Sequence, residues 1–216
     1  MSRRNLHAII VNVLTFSRVP LIFAFTLLAV LAHYSKSMSL AVWAIVMMAL
    51  AGFTDLFDGL LARKWNVVST FGKLADPLMD KIFFIVAFPT LLWLIGAQGD
   101  NHFHSCLMLA FTILYILRDQ WVTFLRAIAS KYHADVSAMW LGKVRTALSF
   151  PAAGLVYMYL VFRPLMSAEV DFCCLMGVYA IEFALIGLNI YSCAVYTNKY
   201  WPYMMLAISS EKTEED

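Results

Sequence analysis

The chain has 216 residues, of which 62% are hydrophobic and 14% are charged. About a quarter of the residues in an ordinary soluble domain are charged, so this composition excludes a water-soluble globular protein and predicts a membrane protein. The net charge of +2 is small, and we expect no nucleic-acid partner. The four cysteines form no CxxC pair, which favours apolar packing over a metal site or a disulfide.

Apolar stretches long enough to cross a bilayer occur six times along the chain. They lie at residues 13–33, 39–62, 73–97, 105–129, 141–163 and 172–198. The connections are too short for a second domain, so the sequence predicts an all-α integral membrane protein with one domain at 1–205 and an acidic tail at 206–216. Residues 3–11, before the first span, are predicted to form a short amphipathic segment along the membrane interface.

Lysine and arginine residues near the ends of the spans indicate orientation, because these residues are retained on the cytoplasmic side. One side has little beyond Lys36 and Arg163. The other side carries Arg3, Arg4, Arg63, Lys64, Lys73, Lys131, Lys143, Arg145 and Lys199. This asymmetry predicts a protein of the inner (cytoplasmic) membrane with both termini on the cytoplasmic side.

Four aspartates interrupt the second and third spans near this cytoplasmic end. On the second span, a spacing of i, i+3, i+4 and i+7 places one set of residues on a single helical face: Asp55, Asp58, Gly59 and Ala62. On the third span, steps of four do the same for Gly72, Asp76 and Asp80. The connection between the spans is short and polar, so we expect these helices to be antiparallel neighbours whose four carboxylates converge.

Four converging carboxylates at the edge of a bilayer repel one another unless multivalent cations bind to them. Their oxygens suit two divalent ions, Mg²⁺ or Mn²⁺, and such a metal pair suits a pyrophosphate. Gly59, Ala62 and Gly72 leave room for a flat ring or for another helix. Helix caps and helix packing explain any one of these residues, but four acidic residues on two stripes favour a site.

The same residues match a family signature. The pattern D-x2-D-G-x2-A-R-x8-G-x3-D-x3-D is complete at Asp55, Asp58, Gly59, Ala62, Arg63, Gly72, Asp76 and Asp80. The chain therefore resembles the CDP-alcohol phosphotransferases. This resemblance implies their six-helix membrane fold and a reaction in which an alcohol displaces CMP from a CDP-linked substrate.

The resemblance also implies roles for individual residues. Asp55, Asp58 and Asp76 would bind the two metal ions, and Asp80 would complete the second metal site and act as general base. The CDP-binding region would comprise Asn12, Thr15, Asp58, Gly59, Ala62, Arg63 and Gly72. Hydrogen bonding to the backbone is the alternative for Asn12 and Thr15, and an interfacial position is the alternative for Arg63.

Similarity extends outside the signature, over about residues 5–150. "NVLTFSR" at 12–18 resembles the first helix of bacterial phosphatidylglycerophosphate synthases, and "RDQWVTFLR" and "WLGKVRTALSF" resemble their fourth and fifth helices. The resemblance implies CDP-diacylglycerol and glycerol 3-phosphate as substrates and a homodimer among membrane lipids. Asp119 stands where a glutamate is expected, and residues after Pro151 supply a helix but no motif.

Four cations form the candidate site for the phosphate of the acceptor. Arg118 and Arg126 lie two turns apart on the fourth span, and Lys143 and Arg145 begin the fifth. Together they suit glycerol 3-phosphate or inositol phosphate, whereas serine would not need them. Anchoring to anionic headgroups is the alternative for Arg126, Lys143 and Arg145. Arg118 lies deep within a span, so it needs a partner, either Asp119 or the substrate phosphate.

Two other classes of function stay open. Buried aspartates also occur along the paths of cation or proton transporters, although such a path needs ionisable residues through the whole depth of the membrane. A non-catalytic protein that binds nucleotide-lipids is the second alternative. Glu182, within the last span, is expected to form an ion pair or a hydrogen-bonded packing contact.

Overall fold

A computed structural model describes residues 3–65, 67, 70–99, 101–136 and 139–211, and this described part of the chain is helical and contains no strand. The helices are α1 (Arg3–Ser35), α2 (Met38–Lys64), α3 (Thr70–Gln98), α4 (His102–Lys131), α5 (Trp140–Phe162) and α6 (Ala168–Glu211), with a 3-10 turn at Arg163–Leu165. Six helices are long and apolar enough to cross a membrane. The predicted all-α integral membrane fold with six spans is confirmed.

The helix ends follow local chemistry. The side chain of Asn101 accepts a hydrogen bond of 3.0 Å from the backbone of His104 and so caps the start of α4. Ser37 caps α2 in the same way through Leu40. The chain leaves α3 through Gly99, which has φ = 74°, a left-handed conformation that glycine adopts without strain.

Both ends of the chain differ from expectation. Residues 3–11 belong to the same helix as the first span, because α1 runs unbroken from Arg3 to Ser35 and no proline or glycine precedes Pro20, and their position at the membrane interface stays a prediction. At the other end, α6 continues to Glu211, well beyond the predicted end of the last span at residue 198. The domain boundary at 205 therefore lies inside a helix, and the division into 1–205 and 206–216 stays a prediction.

The expectation that α2 and α3 are packed neighbours is wrong for the described residues. Helix α1 packs along both α2 and α3, and these two helices make no extended contact with each other. The connection from Lys64 to Thr70 explains how this is possible, since six residue steps reach about 20 Å. That distance is roughly twice the spacing of two packed helices. Any meeting of the aspartates therefore takes place around α1.

An aromatic core lies between α3, α4 and α5, below the helix ends that carry the aspartates. Phe83 stacks on Phe150 with ring centroids 3.9 Å apart, and Phe84 contacts both Phe88 and Tyr115. All of these rings except that of Phe150 are buried. Because aromatic side chains bury large areas and pack in defined orientations, this core fixes the positions of the helix ends above it.

The predicted partner for Glu182 is present. Its Oε1 atom lies 3.1 Å from Nε2 of His104, and both side chains are 2% exposed. This contact joins α4 to α6 at a level distant from the aspartates, so the expectation of an ion pair or hydrogen-bonded packing contact is confirmed.

Candidate functional site

Three of the four signature aspartates meet at one arginine of α1. The guanidinium of Arg18 contacts carboxylates from both α2 and α3. Its Nη2 lies 2.6 Å from Asp55 Oδ1 and 3.1 Å from Asp58 Oδ2, and its Nη1 lies 2.6 Å from Asp80 Oδ1. We refer to Arg18, Asp55, Asp58 and Asp80 as the carboxylate centre. It joins helices α1, α2 and α3, which explains how α2 and α3 share a site without packing together.

The carboxylate centre combines a buried guanidinium with partly exposed carboxylates and carries a net negative charge. Arg18 is 1% exposed, whereas the side chains of Asp55 and Asp80 are 35% and 31% exposed. Thr15, one turn before Arg18, donates a hydrogen bond of 2.9 Å to Asp58. Three carboxylates and one guanidinium give these four side chains a net formal charge of −2. A guanidinium this deeply buried is stable only when anions surround it.

The donor chemistry of the carboxylate centre fits a divalent cation. Carboxylate oxygens are the ligands that Mg²⁺ and Mn²⁺ prefer in proteins, and three carboxylates lie within hydrogen-bond reach of one cation. Within the described residues no three acidic, histidine or cysteine side chains surround a common point as metal ligands do. The guanidinium of Arg18 occupies the space between them, and the fourth carboxylate, that of Asp76, lies outside the described side chains.

A second charged group lies next to the first along α3. Asp119 of α4 is shared by three cations: Oδ2 lies 3.4 Å from Lys81 Nζ, and Oδ1 lies 3.0 Å from Arg145 Nη2 and 3.7 Å from Arg118 Nη1. We refer to Lys81, Arg118, Asp119 and Arg145 as the cation cluster. Its four side chains carry a net formal charge of +2. The expected pairing of Arg118 with Asp119 is present, although at a longer distance than that of Arg145.

Helix α6 supplies further contacts to the cation cluster. Arg118 donates a hydrogen bond to the hydroxyl of Ser192, and its guanidinium lies 5.0 Å from the ring centre of Tyr196. Arg145 donates to the side-chain oxygen of Asn189 at 3.3 Å. Cations over aromatic faces and in hydrogen bonds to neutral oxygens keep their full charge, so these contacts orient the arginines without neutralising them.

One cavity of about 1170 Å³ joins the two charged groups. Asp55 and Asp80 of the carboxylate centre line it together with the three cations of the cation cluster. Arg126 and Lys143 line it as well, so all four cations predicted to bind the acceptor phosphate face the space that two of the aspartates face. The rest of the wall is mainly apolar, and most of it comes from α2 and α5.

Arg126 and Lys143 differ in their partners. Two nitrogens of Arg126, Nε and Nη2, donate to the backbone carbonyl of Val136, with the Nε distance at 2.9 Å. The guanidinium therefore ties α4 to the connection that precedes α5. Lys143 has no hydrogen-bond or ion-pair partner among the described residues and is exposed. The headgroup-anchor alternative stays open for both.

Of the remaining predicted site residues, two have described side chains, and both lie apart from the cavity wall. Asn12 is half-buried on α1, one turn before Thr15, and its side chain makes no hydrogen bond to another described residue. Gly59 is half-buried on α2, one residue after Asp58. Four other predicted residues belong to α2 or α3, but their side chains lie outside the described residues: Ala62, Arg63, Gly72 and Asp76.

Sequence reasoning assigned no function to several residues that the fold brings to the site. Arg18 lies within "NVLTFSR", yet an arginine in a span does not indicate its partners. Lys81, the residue after Asp80, pairs with Asp119 of α4. Asn189 and Ser192 of α6 belong to no motif, and the available signal was their spacing of three, which puts them on one helical face.

A family model described as CDP-alcohol phosphatidyltransferase matches residues 8–190. The chain belongs to the CDP-alcohol phosphatidyltransferase family. This match runs from the first turns of α1 into α6 and includes both the carboxylate centre and the cation cluster. It confirms the resemblance that the spacing of the aspartates indicated.

Members of the CDP-alcohol phosphatidyltransferase family with known names are similar to the chain. A protein of Mycoplasma genitalium is 34% identical over 136 residues, 60% of this chain and 52% of its own length. One of Blochmanniella floridana is 34% identical over 99 residues, 45% and 48% of the two chains. One of Escherichia coli K12 is 29% identical over 123 residues, 56% and 61% of the two chains.

All three relatives are named CDP-diacylglycerol–glycerol-3-phosphate 3-phosphatidyltransferase. The chain spans about half to three fifths of the length of these relatives. These names describe the activity of the relatives themselves. They indicate a branch of the family that this chain resembles in sequence.

Proposed function

We propose that the protein transfers the phosphatidyl group of CDP-diacylglycerol to glycerol 3-phosphate, producing phosphatidylglycerophosphate and CMP. One observation carries this proposal: a single cavity is lined by carboxylates of the carboxylate centre and by the cations of the cation cluster. The names of the similar relatives support the same reaction. The reaction needs both kinds of charge, since a pyrophosphate donor and a phosphorylated acceptor must meet in one space.

The surplus charges match the two substrates. The cation cluster has a net formal charge of +2, and a phosphate monoester such as glycerol 3-phosphate carries roughly −2 at neutral pH. The carboxylate centre has a net charge of −2 and would repel a bare pyrophosphate. Divalent ions held by Asp55, Asp58, Asp76 and Asp80 would neutralise the charge that develops on the departing CMP and acidify the acceptor hydroxyl.

The bond changes are those of an in-line substitution at phosphorus. The acceptor hydroxyl oxygen attacks the β-phosphorus of CDP-diacylglycerol, and the bond between that phosphorus and the oxygen of CMP breaks. The hydroxyl proton passes to a carboxylate oxygen of Asp80, which lines the cavity. Arg18, at 2.6 Å from Asp80, holds this carboxylate in place. Lys81, the next residue, lines the cavity with the other cations of the cation cluster, which would bind the phosphate of the acceptor.

The apolar wall of the cavity suits a lipid-linked donor. Met48, Gly52 and Phe53 of α2 face the cavity, as do Phe150 and Gly154 of α5. A Cβ atom at Gly52 would lie 3.2 Å from the ring of Phe150, so the two helices approach closely at this point. Acyl chains would follow this wall while the nucleotide occupies the polar end of the cavity.

We also propose that the polar end of the cavity faces the cytoplasm and that the protein is a homodimer in the inner membrane. The distribution of lysine and arginine supports the orientation, and the family resemblance supports the dimer. The orientation is tested with Lys36→Cys and Lys199→Cys, each in a protein whose four native cysteines are replaced by serine, by labelling with a membrane-impermeant thiol reagent. Only the cysteine at 36 should react from outside intact cells; reaction of the cysteine at 199 from outside contradicts it.

An acceptor panel tests the activity and the metal requirement together. Purified protein in detergent micelles is mixed with CDP-diacylglycerol, Mg²⁺ and one acceptor. The acceptor is glycerol 3-phosphate, inositol phosphate or serine, and the release of CMP is measured. We expect release with glycerol 3-phosphate and its loss when EDTA removes divalent ions. If inositol phosphate or serine supports CMP release and glycerol 3-phosphate does not, the proposed acceptor is wrong. Cation flux into sealed vesicles without CMP release supports the transporter instead.

A further inference from the structure

Helix α6 buries a row of polar side chains against the cation cluster. Asn189, Ser192 and Tyr196 are at most 2% exposed. Their spacing of i, i+3 and i+7 places them on one helical face, and their contacts show that this face points to α4 and α5. An apolar helix of this length needs no such row for packing alone, because small residues such as alanine pack equally well.

Each member of the pair Asn189 and Ser192 holds one arginine. The amide nitrogen of Asn189 donates to the carbonyl of Leu185 at 2.8 Å, which leaves its oxygen turned toward Arg145. The hydroxyl of Ser192 accepts a hydrogen bond from Arg118. Arg118 and Arg145 are 6% and 4% exposed, so solvent does not supply these contacts. Both arginine side chains are long and would otherwise sample many rotamers. In each guanidinium, one terminal nitrogen contacts α6 and the other faces Asp119.

Tyr196 closes the same wall. Its hydroxyl accepts a hydrogen bond of 3.0 Å from the backbone nitrogen of Met139, immediately before α5. A Cβ atom at Gly142 would lie 3.0 Å from this hydroxyl and 3.8 Å from Arg118 Nη2. The backbone of α5 therefore approaches α6 through glycine, beside the guanidinium of Arg118.

We propose that Asn189 and Ser192 are positioning residues for the phosphate of the acceptor. They fix the guanidiniums of Arg145 and Arg118 in the orientation in which both face the cavity, so that the phosphate binds to cations that are already ordered. Preorganised groups bind a ligand more tightly, because less rotamer entropy is lost on binding. This inference rests on the proposed function for the identity of the acceptor, but anion binding at the cation cluster can be measured without turnover.

The test compares Asn189→Ala and Ser192→Ala with Thr197→Ala. Thr197 lies on the same helix and accepts a hydrogen bond of 2.8 Å from Trp121, outside the cavity, so it controls for the loss of a polar contact. The Michaelis constants for glycerol 3-phosphate and CDP-diacylglycerol are measured separately. For Asn189→Ala and Ser192→Ala we expect the constant for glycerol 3-phosphate to rise about 10-fold, as for a lost hydrogen bond to a charged group.

The constant for CDP-diacylglycerol and kcat should stay within about twofold of the wild type. Ser192→Thr keeps the hydroxyl and should restore the wild-type constant for glycerol 3-phosphate. If the added methyl group prevents folding, the comparison of Ser192→Ala with Thr197→Ala still decides. A merely structural role for α6 predicts that the melting temperature falls while the two Michaelis constants stay unchanged or rise equally, and either result overturns the proposal.

A second measurement separates this inference from the proposed function. Inorganic phosphate, at a concentration near its dissociation constant for the wild type, should raise the melting temperature of the wild type and of Thr197→Ala, and should raise that of Asn189→Ala or Ser192→Ala much less, as expected for roughly 10-fold weaker binding. If the wild type releases no CMP yet shows this pattern, the proposed reaction is wrong and the positioning role stands. If phosphate stabilises all four proteins equally, Asn189 and Ser192 do not position the anion site, whatever reaction the protein catalyses.

Discussion

In the carboxylate centre one guanidinium is shared by three carboxylates, whereas in the cation cluster one carboxylate is shared by three cations. The two groups have opposite net charge and meet at the adjacent residues Asp80 and Lys81 of α3. A membrane interior tolerates neither surplus alone without cost. Side by side, they form a polar end of the bundle whose surplus charges would be matched, in the proposed reaction, by a metal-bound pyrophosphate and by a phosphorylated alcohol.

The two groups are also built differently. The carboxylates lie within one continuous stretch of chain, Asp55 to Asp80, and need only α1 to gather them. The cation cluster combines residues of α3, α4 and α5 and depends on α6 for orientation. Loss of any one carboxylate should therefore impair the whole carboxylate centre and the reaction. In the cation cluster, the loss of acceptor affinity should be larger for a cation that is firmly held in the cavity than for one that is not.

The largest expected effect concerns the carboxylate centre. Asp80→Asn keeps the size of the side chain but removes its charge and its ability to accept the hydroxyl proton, so CMP release should fall about 1000-fold. Asp171→Asn is the matched control. Asp171 accepts a hydrogen bond from Tyr159 and forms an ion pair with Arg163 at the opposite end of the bundle. The control should keep activity within about twofold. Retention of more than about a tenth of the activity by Asp80→Asn contradicts the assigned role.

Next in size is the effect of removing the shared cation. Arg18→Gln leaves three carboxylates without their common partner, which should lower the free energy of unfolding by about 3 kcal/mol in the absence of divalent ions. Added Mg²⁺ should recover more stability in this variant than in the wild type, since the metal replaces the lost charge. Unfolding in detergent micelles with and without Mg²⁺ measures both effects.

Arg163→Gln provides the comparison for Arg18. Arg163 pairs with Asp171 at 3.5 Å and its side chain is 26% exposed, so its loss should cost less than about 1 kcal/mol and show no response to Mg²⁺. Equal destabilisation in the two variants would mean that Arg18 serves packing and not the charge balance of the carboxylates.

A third comparison concerns two arginines of the predicted acceptor site. Arg145→Gln removes a guanidinium held by both Asp119 and Asn189, and the Michaelis constant for glycerol 3-phosphate should rise roughly 100-fold. Arg126→Gln removes a guanidinium whose Nε and Nη2 donate to the backbone carbonyl of Val136. In this variant the Michaelis constant for glycerol 3-phosphate should rise less than about fivefold. Steady-state kinetics at saturating CDP-diacylglycerol gives both values, and a reversed order would move the phosphate site toward the connection before α5.

How far the sequence predicted this site depends on the kind of interaction. The spans followed from hydropathy, because the membrane imposes a length on apolar stretches, and the aspartates followed from their spacing. The position of α1 between α2 and α3 did not follow, because helix order in a bundle is set by packing that no local pattern encodes. For the same reason Arg18 was noted in a motif but received no partner.

The polar row of α6 illustrates a second limit. Asparagine and serine within a membrane helix commonly bond to their own backbone, and Asn189 does so through its amide nitrogen. Only the fold shows that its oxygen meets Arg145. A polar residue in a span therefore gains a functional meaning when its partner is known, and that partner here lies 44 residues away in the chain.

The smallest expected effect tests the close approach of α5 and α6. Alanine is favoured over glycine in a helix by about 1 kcal/mol, so Gly177→Ala, where a Cβ atom meets nothing within 4 Å, should be neutral or slightly stabilising. At Gly142 the new Cβ atom lies 3.0 Å from the hydroxyl of Tyr196, and Tyr196 must move away from Met139 and Arg118. Gly142→Ala should therefore gain no stability and should raise the Michaelis constant for glycerol 3-phosphate about threefold. Melting curves and kinetics of the two variants check this; equal behaviour would mean that Tyr196 yields freely and that α6 does not hold Arg118 through this contact.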